Sequence, residues 1–155
     1  MMGRVYTVVI SGVASPAAAF DFFELNPAAA KPVRILRIRI AQTSEPTTEE
    51  EQLALTIQRA HSTSGSGGSA PTPRPVNSSA AAAGFTAETM NTTQATGGTP
   101  VVLFEDAWNT RAGFDMAFAP EEAFMAVNAE RVVVQSAAPA DAVTIRATLW
   151  VEELG

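Results

Sequence analysis

The ten residues Val33-Arg34-Ile35-Leu36-Arg37-Ile38-Arg39-Ile40-Ala41-Gln42 decide the fold class. Apolar and basic side chains alternate from Leu36 onward, which puts Leu36, Ile38 and Ile40 on one face. Arg37 and Arg39 lie on the other face, in line with Val33 and Ile35. The pattern predicts a half-buried strand of an antiparallel sheet. Upstream, Arg4 to Gly12 and Ala19 to Leu25 read as strands of the same kind, with Asn26-Pro27 opening a turn. Downstream, Gln52 to Ala60 alternates through Leu53, Leu55, Ile57 and Arg59. Thr48 with Glu51 resembles a helix capping box there, but the alternation runs the full length and favours a strand. Phe85 to Thr93, Val101 to Trp108, Gly113 to Ala119, Arg131 to Ser136 and Ala142 to Glu152 complete the set. Ala80 to Gly84 is expected to form a helical turn, and Pro120-Glu121-Glu122 a short irregular or helical piece.

About eight to ten short strands with no long helix predict an all-β, single antiparallel β-sandwich over residues 1–155, jelly-roll-like. The expected core draws on Val8, Ile10, Phe20, Phe22, Leu36, Ile38, Leu55, Ile57, Phe114, Phe118, Val133, Ile145 and Leu149. The stretch 62–79 is rich in Ser and Gly in its first half and alternates Pro in its second. It reads as one long functional loop.

Composition excludes more functions than it suggests. Of 155 residues, 29 are Ala and 16 are Thr, and charged residues make up only 17%, which argues against a helical bundle. Absence of Cys excludes disulfides, thiol chemistry and Cys-ligated metals. The single histidine, His61, leaves no triad and no His-rich metal site; a hydrogen-bonded histidine at a strand end is expected. The opening residues Met1 to Ile10 mix β-branched residues with Tyr6 and Thr7, and they read as a strand rather than a secretory signal. No stretch approaches the ~20 apolar residues that cross a membrane.

Net charge is −6 and divides unevenly, +1 over residues 1–78 and −7 over residues 79–155. Acidity on this scale speaks against a nucleic-acid surface. The pairs Glu105-Asp106, Glu121-Glu122 and Glu152-Glu153 and the run Glu49-Glu50-Glu51 lack calcium-loop spacing, and they read as solvated surface. Gly65-Ser66-Gly67-Gly68 resembles a phosphate loop in composition only. The cluster Arg34, Arg37 and Arg39 has no stacking aromatic on its own strand, so an exposed or subunit-covered sheet face is expected. Trp108 and Trp150 are candidate sugar platforms, although alternating aromatics more often fill a core. Asn77-Ser78-Ser79 and Asn91-Thr92-Thr93 match glycosylation sequons, which carry meaning only on a secretory route.

Several stretches together resemble a group of small proteins encoded among the head genes of tailed bacteriophages. They are Lys31-Pro32-Val33-Arg34-Ile35-Leu36, Glu50-Glu51-Gln52-Leu53, Arg59 to Gly68, Pro71-Thr72-Pro73, Ala82 to Glu88, Asn91-Thr92-Thr93 and Leu149 to Glu153. The resemblance is to capsid decoration (cement, or minor capsid) proteins. It implies a non-enzymatic structural virion protein that binds the outer capsid surface, is made in the host cytoplasm and needs no cofactor or metal. The implied partners are the major capsid protein and further copies of the chain, as a trimer, without nucleic acid or membrane. Candidate contacts are Pro71, Pro73, Arg74 and Pro75 in the long loop and Arg37 and Arg39 on the sheet. A carbohydrate-binding sandwich, or an adhesion module of a head or tail fibre, is the alternative; a carboxylate-based glycan hydrolase or lyase is the third.

Overall fold

The computed structural model describes residues 3–44 and 50–155. Every regular element among them is a strand: β1 (Arg4–Ala14), β2 (Phe20–Asn26), β3 (Val33–Gln42), β4 (Gln52–His61), β5 (Arg74–Pro75), β6 (Thr86–Asn91), β7 (Val101–Asn109), β8 (Phe114–Ala117), β9 (Met125–Ala126), β10 (Arg131–Ser136) and β11 (Thr144–Glu153). The count exceeds expectation because β5 and β9 are two-residue bridges that alternation does not reveal. Residues 81–83 are irregular between bends at 80 and 84, and 120–122 form a turn; neither stretch is helical. Thr48, on which the capping-box alternative rests, lies outside the described residues, and 52–61 is a strand.

The strands form two antiparallel sheets. The first has the order β5-β1-β11-β3-β8, with β9 also pairing β3, and the second the order β6-β2-β10-β4-β7. Four nested pairings explain the order: β1 with β11, β2 with β10, β3 with β8 and β4 with β7. The chain is thus one long hairpin with residues 62–100 at its tip. Rolling that hairpin up brings β11 against β3 and β10 against β4. Removing β5, β6 and β9 leaves the eight strands of a jelly roll.

The core between the sheets holds Tyr6, Phe20, Phe22, Ile35, Ile38, Leu55, Ile57 and Leu149, all fully buried. Trp108 is also fully buried, 5.4 Å from the Phe22 ring, and its indole N–H donates to Ser136 Oγ at 3.0 Å. Four expected core positions differ. A bulge opposite Trp150 and Val151 drops Leu36 from the ladder, so Val33 and Ile35 turn inward and Leu36 is left half-buried. Val133 is buried on the opposite face of the second sheet, between Glu24 and Gln58. Phe114 and Phe118 are half-buried at the side of the sandwich where β7 and β8 end the two sheets.

The long loop is stitched down along its first half. Thr63 exchanges both amide bonds with Thr96, Ser66 with Thr93 and Ser69 with Thr89. The ladder starts on the free edge of β6 at Thr89 and continues past its end along Thr93 and Thr96. Glycine permits the approach: a β-carbon at Gly65 would stand 2.7 Å from the Thr93 carbonyl oxygen and 2.9 Å from Asp21 Oδ2. The loop then crosses to the first sheet, where β5 pairs with the edge of β1. On the way back, Ala81 accepts the Tyr6 hydroxyl at 2.9 Å and Gly84 donates its N–H to Glu153 at 2.6 Å. Glu153 is fully buried, with Arg4 at 3.4 Å and Lys31 at 3.6 Å. The reading of Glu152-Glu153 as solvated surface is corrected here: one of the pair anchors the returning chain.

Candidate functional site: the outer face of the first sheet

The two sheets treat their outer faces differently. On the first sheet no strand or described loop covers the centre, and register aligns outward side chains in rows across it. One row runs Arg74, Thr7, Trp150, Arg37, Ala117. The next runs Val9, Thr148, Arg39, Asp115, and a third contains Ser11, Arg146 and Ala41. Directly opposite residues of an antiparallel pair point to the same side, so these belong to one surface. Val9, Arg39, Ala41, Arg146, Thr148 and Trp150 line a shallow depression of about 380 Å³.

Charge is concentrated there. A further row adds Glu152 and Arg34, joined at 2.5 Å. Five of the ten basic residues, Arg34, Arg37, Arg39, Arg74 and Arg146, thus share a face with two carboxylates, Asp115 and Glu152. A surplus of three positive charges sits on a chain of net −6, and the remainder of the chain carries −9. Arg37 makes a two-pronged bond to Asp115 at 2.8 and 2.6 Å, and its guanidinium carbon lies 5.2 Å from the centre of the Trp150 ring. The bond from Arg37 holds the Asp115 carboxyl below the usual carboxylate range. Arg39 and Arg146 face no carboxylate at ion-pair distance among the described residues, although Asp115 feels the charge of Arg39.

The outer face of the second sheet is roofed by residues 62–69 and 91–96, and it encloses a polar network. Asp21 Oδ2 accepts the Ala95 N–H at 2.8 Å, and Oδ1 accepts Gln135 Nε2 at 2.9 Å. Gln135 Oε1 accepts Gln58 Nε2 at 2.9 Å, and Gln58 Oε1 lies 3.2 Å from His61 Nε2. An ionised Asp21 accepts from both neighbours, so each amide in the chain has one orientation and His61 carries its proton on Nε2. That leaves His61 Nδ1 buried without a partner among the described residues. Burial raises the Asp21 carboxyl to about 6 against the opposing pull of these donors, and neighbouring Glu24 and Glu88 push the same way. Burial also lowers the His61 imidazole, with Glu24 opposing. Beside this chain, Glu24 accepts Ser64 Oγ at 2.8 Å and the Gly65 N–H at 2.9 Å. Arg131 Nε lies 2.9 Å from Glu24 as an ion pair, at an angle too poor for a hydrogen bond. These groups hold the roof in place. Among the described residues no three His, Asp or Glu side chains converge as metal ligands, and no helix is long and apolar enough to cross a membrane.

Of the expected contact residues, the structure brings Arg37, Arg39 and Arg74 onto one face. Pro73 is buried, and Pro71 and Pro73 line a depression with Ala83 and Phe85 in which this chain packs on itself. Pro75 is half-buried in β5. Trp108 lies in the core, so of the two candidate sugar platforms only Trp150 reaches the surface. Arg146 is a member of the face that sequence reasoning misses. Its alternation with Thr148, Trp150 and Glu152 is visible in the chain, but not the strand it lies against. The fold defines a jelly-roll sandwich with one roofed and one bare outer face. No family model matches the chain, and neither curated proteins nor solved structures give a significant match.

Proposed function

We propose that the protein is a non-enzymatic structural component of a virion, a decoration protein that binds the outside of a phage capsid as a homo-oligomer, a trimer. The observation that carries this reading is the bare cationic face on an otherwise acidic chain. Acidic copies crowded on a shell repel one another, and a local reversal of sign gives each copy one side that attracts an acidic neighbour. The long loop is bonded along one edge, and the buried carboxylates of Glu24 and Glu153 accept its amides at Gly65 and Gly84. Jelly rolls build viral capsid domains and lectins alike, so the fold accommodates the reading. Weak contacts repeated over many equivalent shell sites supply the avidity.

Co-sedimentation with shells assembled from the major capsid protein alone tests this. Saturable binding at a fixed number of copies per capsomer, weakened by added salt, is the expected result. Failure to co-sediment at about 10 µM protein in low salt overturns the reading.

A further inference from the structure

Two of the four sheet edges carry a short bonded cover, and the other two carry none among the described residues. The edge of β6 is bonded to the 62–69 ladder at Thr89, and that of β1 to β5 and Val76 over Val5–Thr7. β7 and β8 end their sheets on the same side of the sandwich, with no further strand beyond them among the described residues. Unpaired edges invite pairing with another chain, and natural sandwiches normally cover or blunt them. Between these two strands lies a half-buried aromatic cluster, in which Phe104 is 5.8 Å from Phe118 and 5.9 Å from Phe124. Val101 and Val102 on β7 are 44% and 50% exposed. Glu105, Asp106, Glu121 and Glu122 flank this apolar surface, all exposed, and none forms an ion pair with a described residue.

Taking the bare face as the docking surface of the proposed function, we propose that its partner is a second copy of this chain, whose open β7 edge seats on the depression around Trp150. Charge decides the pairing. Edge against edge sets acid against acid, and face against face sets arginine against arginine. Edge against face brings Glu105 and Asp106 toward Arg39 and Arg146, and Val101 and Val102 toward Val9 and Trp150. This contact is head-to-tail, so it propagates from copy to copy until it closes. Its two patches lie on adjacent sides of the sandwich, because β8 is at once the rim of the bare face and part of the open side. A head-to-tail contact closes into a ring where the rotation from copy to copy permits it and otherwise runs on as a filament; the trimer of the proposed function requires the former.

Native mass spectrometry and sedimentation velocity at about 50 µM, in about 50 and 500 mM salt, test the proposal. The wild type is expected as a ring of a few 16.2 kDa copies that loses mass at the higher salt. R39E/R146E and E105R/D106R are each expected to associate at least about tenfold more weakly while melting as cooperatively as the wild type. The variant carrying all four substitutions restores the sign match and is expected to recover the wild-type mass. A monomeric wild type, a ring indifferent to salt, or a folded four-substitution variant that stays monomeric overturns the inference. Binding of R39E/R146E to shells separates the two readings. A monomeric wild type that decorates shells, and loses them on R39E/R146E, assigns the face to the capsid instead. A wild-type ring that never binds shells removes the capsid reading and leaves the ring standing.

Discussion

Replacing Asp21 with asparagine isolates the energetic cost of one buried charge. In the fold the Asp21 carboxyl is raised to about 6, chiefly by burial beneath the 62–69 and 91–96 roof. In an unfolded chain an aspartate titrates near ~3.9, and the gap between the two values is worth about 3 kcal/mol. Between pH 4 and pH 6 the folded protein holds a proton at Asp21 that the unfolded chain has released. Stability from this group is therefore fully present below about pH 4, is lost as pH rises through about 6, and is flat beyond. An asparagine side chain does not titrate, so every other carboxylate cancels when D21N is compared with the wild type at each pH. The expected result is that D21N gains about 2–3 kcal/mol relative to the wild type between pH 4 and pH 7. The absolute offset is a separate matter. An asparagine offers one acceptor where Asp21 offers two, so Gln135, Gln58 and the His61 proton must all reverse to keep the chain bonded. Urea unfolding of both proteins at four pH values measures the difference. A difference flat within about 0.5 kcal/mol across that range refutes the account, because it means Asp21 titrates as it does in the unfolded chain.

His61, the only histidine, gives a single imidazole signal in ¹⁵N NMR. It is expected to show the Nε2–H tautomer at neutral pH and a titration midpoint below the ordinary value, and an Nδ1–H tautomer in the wild type contradicts the one-way chain from Asp21. Gly65→Ala pushes a methyl group into Thr93 and Asp21, and an overpacked contact between two backbones costs about 1–3 kcal/mol. A thermal melt unchanged by Gly65→Ala shows that the loop is not stitched to residues 89–96.

The strand character of β3, β4, β10 and β11 is legible because alternation is local: a residue's neighbours two positions away share its face whatever the sheet pairs with. The same locality explains the failures. Extending one unbroken alternation places Leu36 in the core, and a bulge set by its pairing with β11 moves Val33 and Ile35 inward instead. Trp108 alternates as well as Trp150 does, yet one fills the core and the other floors the bare face. Their positions within their own strands do not tell them apart; the sheet each strand joins does. Arg37 and Arg39 announce a basic stripe from their own strand, while Arg74 and Arg146 come from β5 and β11, distant in sequence and brought alongside only when the hairpin rolls up. The Ser/Gly run is legible as a loop, but its role as a roof depends on Asp21 and Glu24, buried acceptors more than forty residues away that take its amides and those beside it. Periodicity along the chain therefore determined that this protein is a sandwich of half-buried strands. Only the tertiary structure decided which strands touch, and with them the cationic face, because hydrogen-bonded register joins residues whose separation along the chain leaves no local trace.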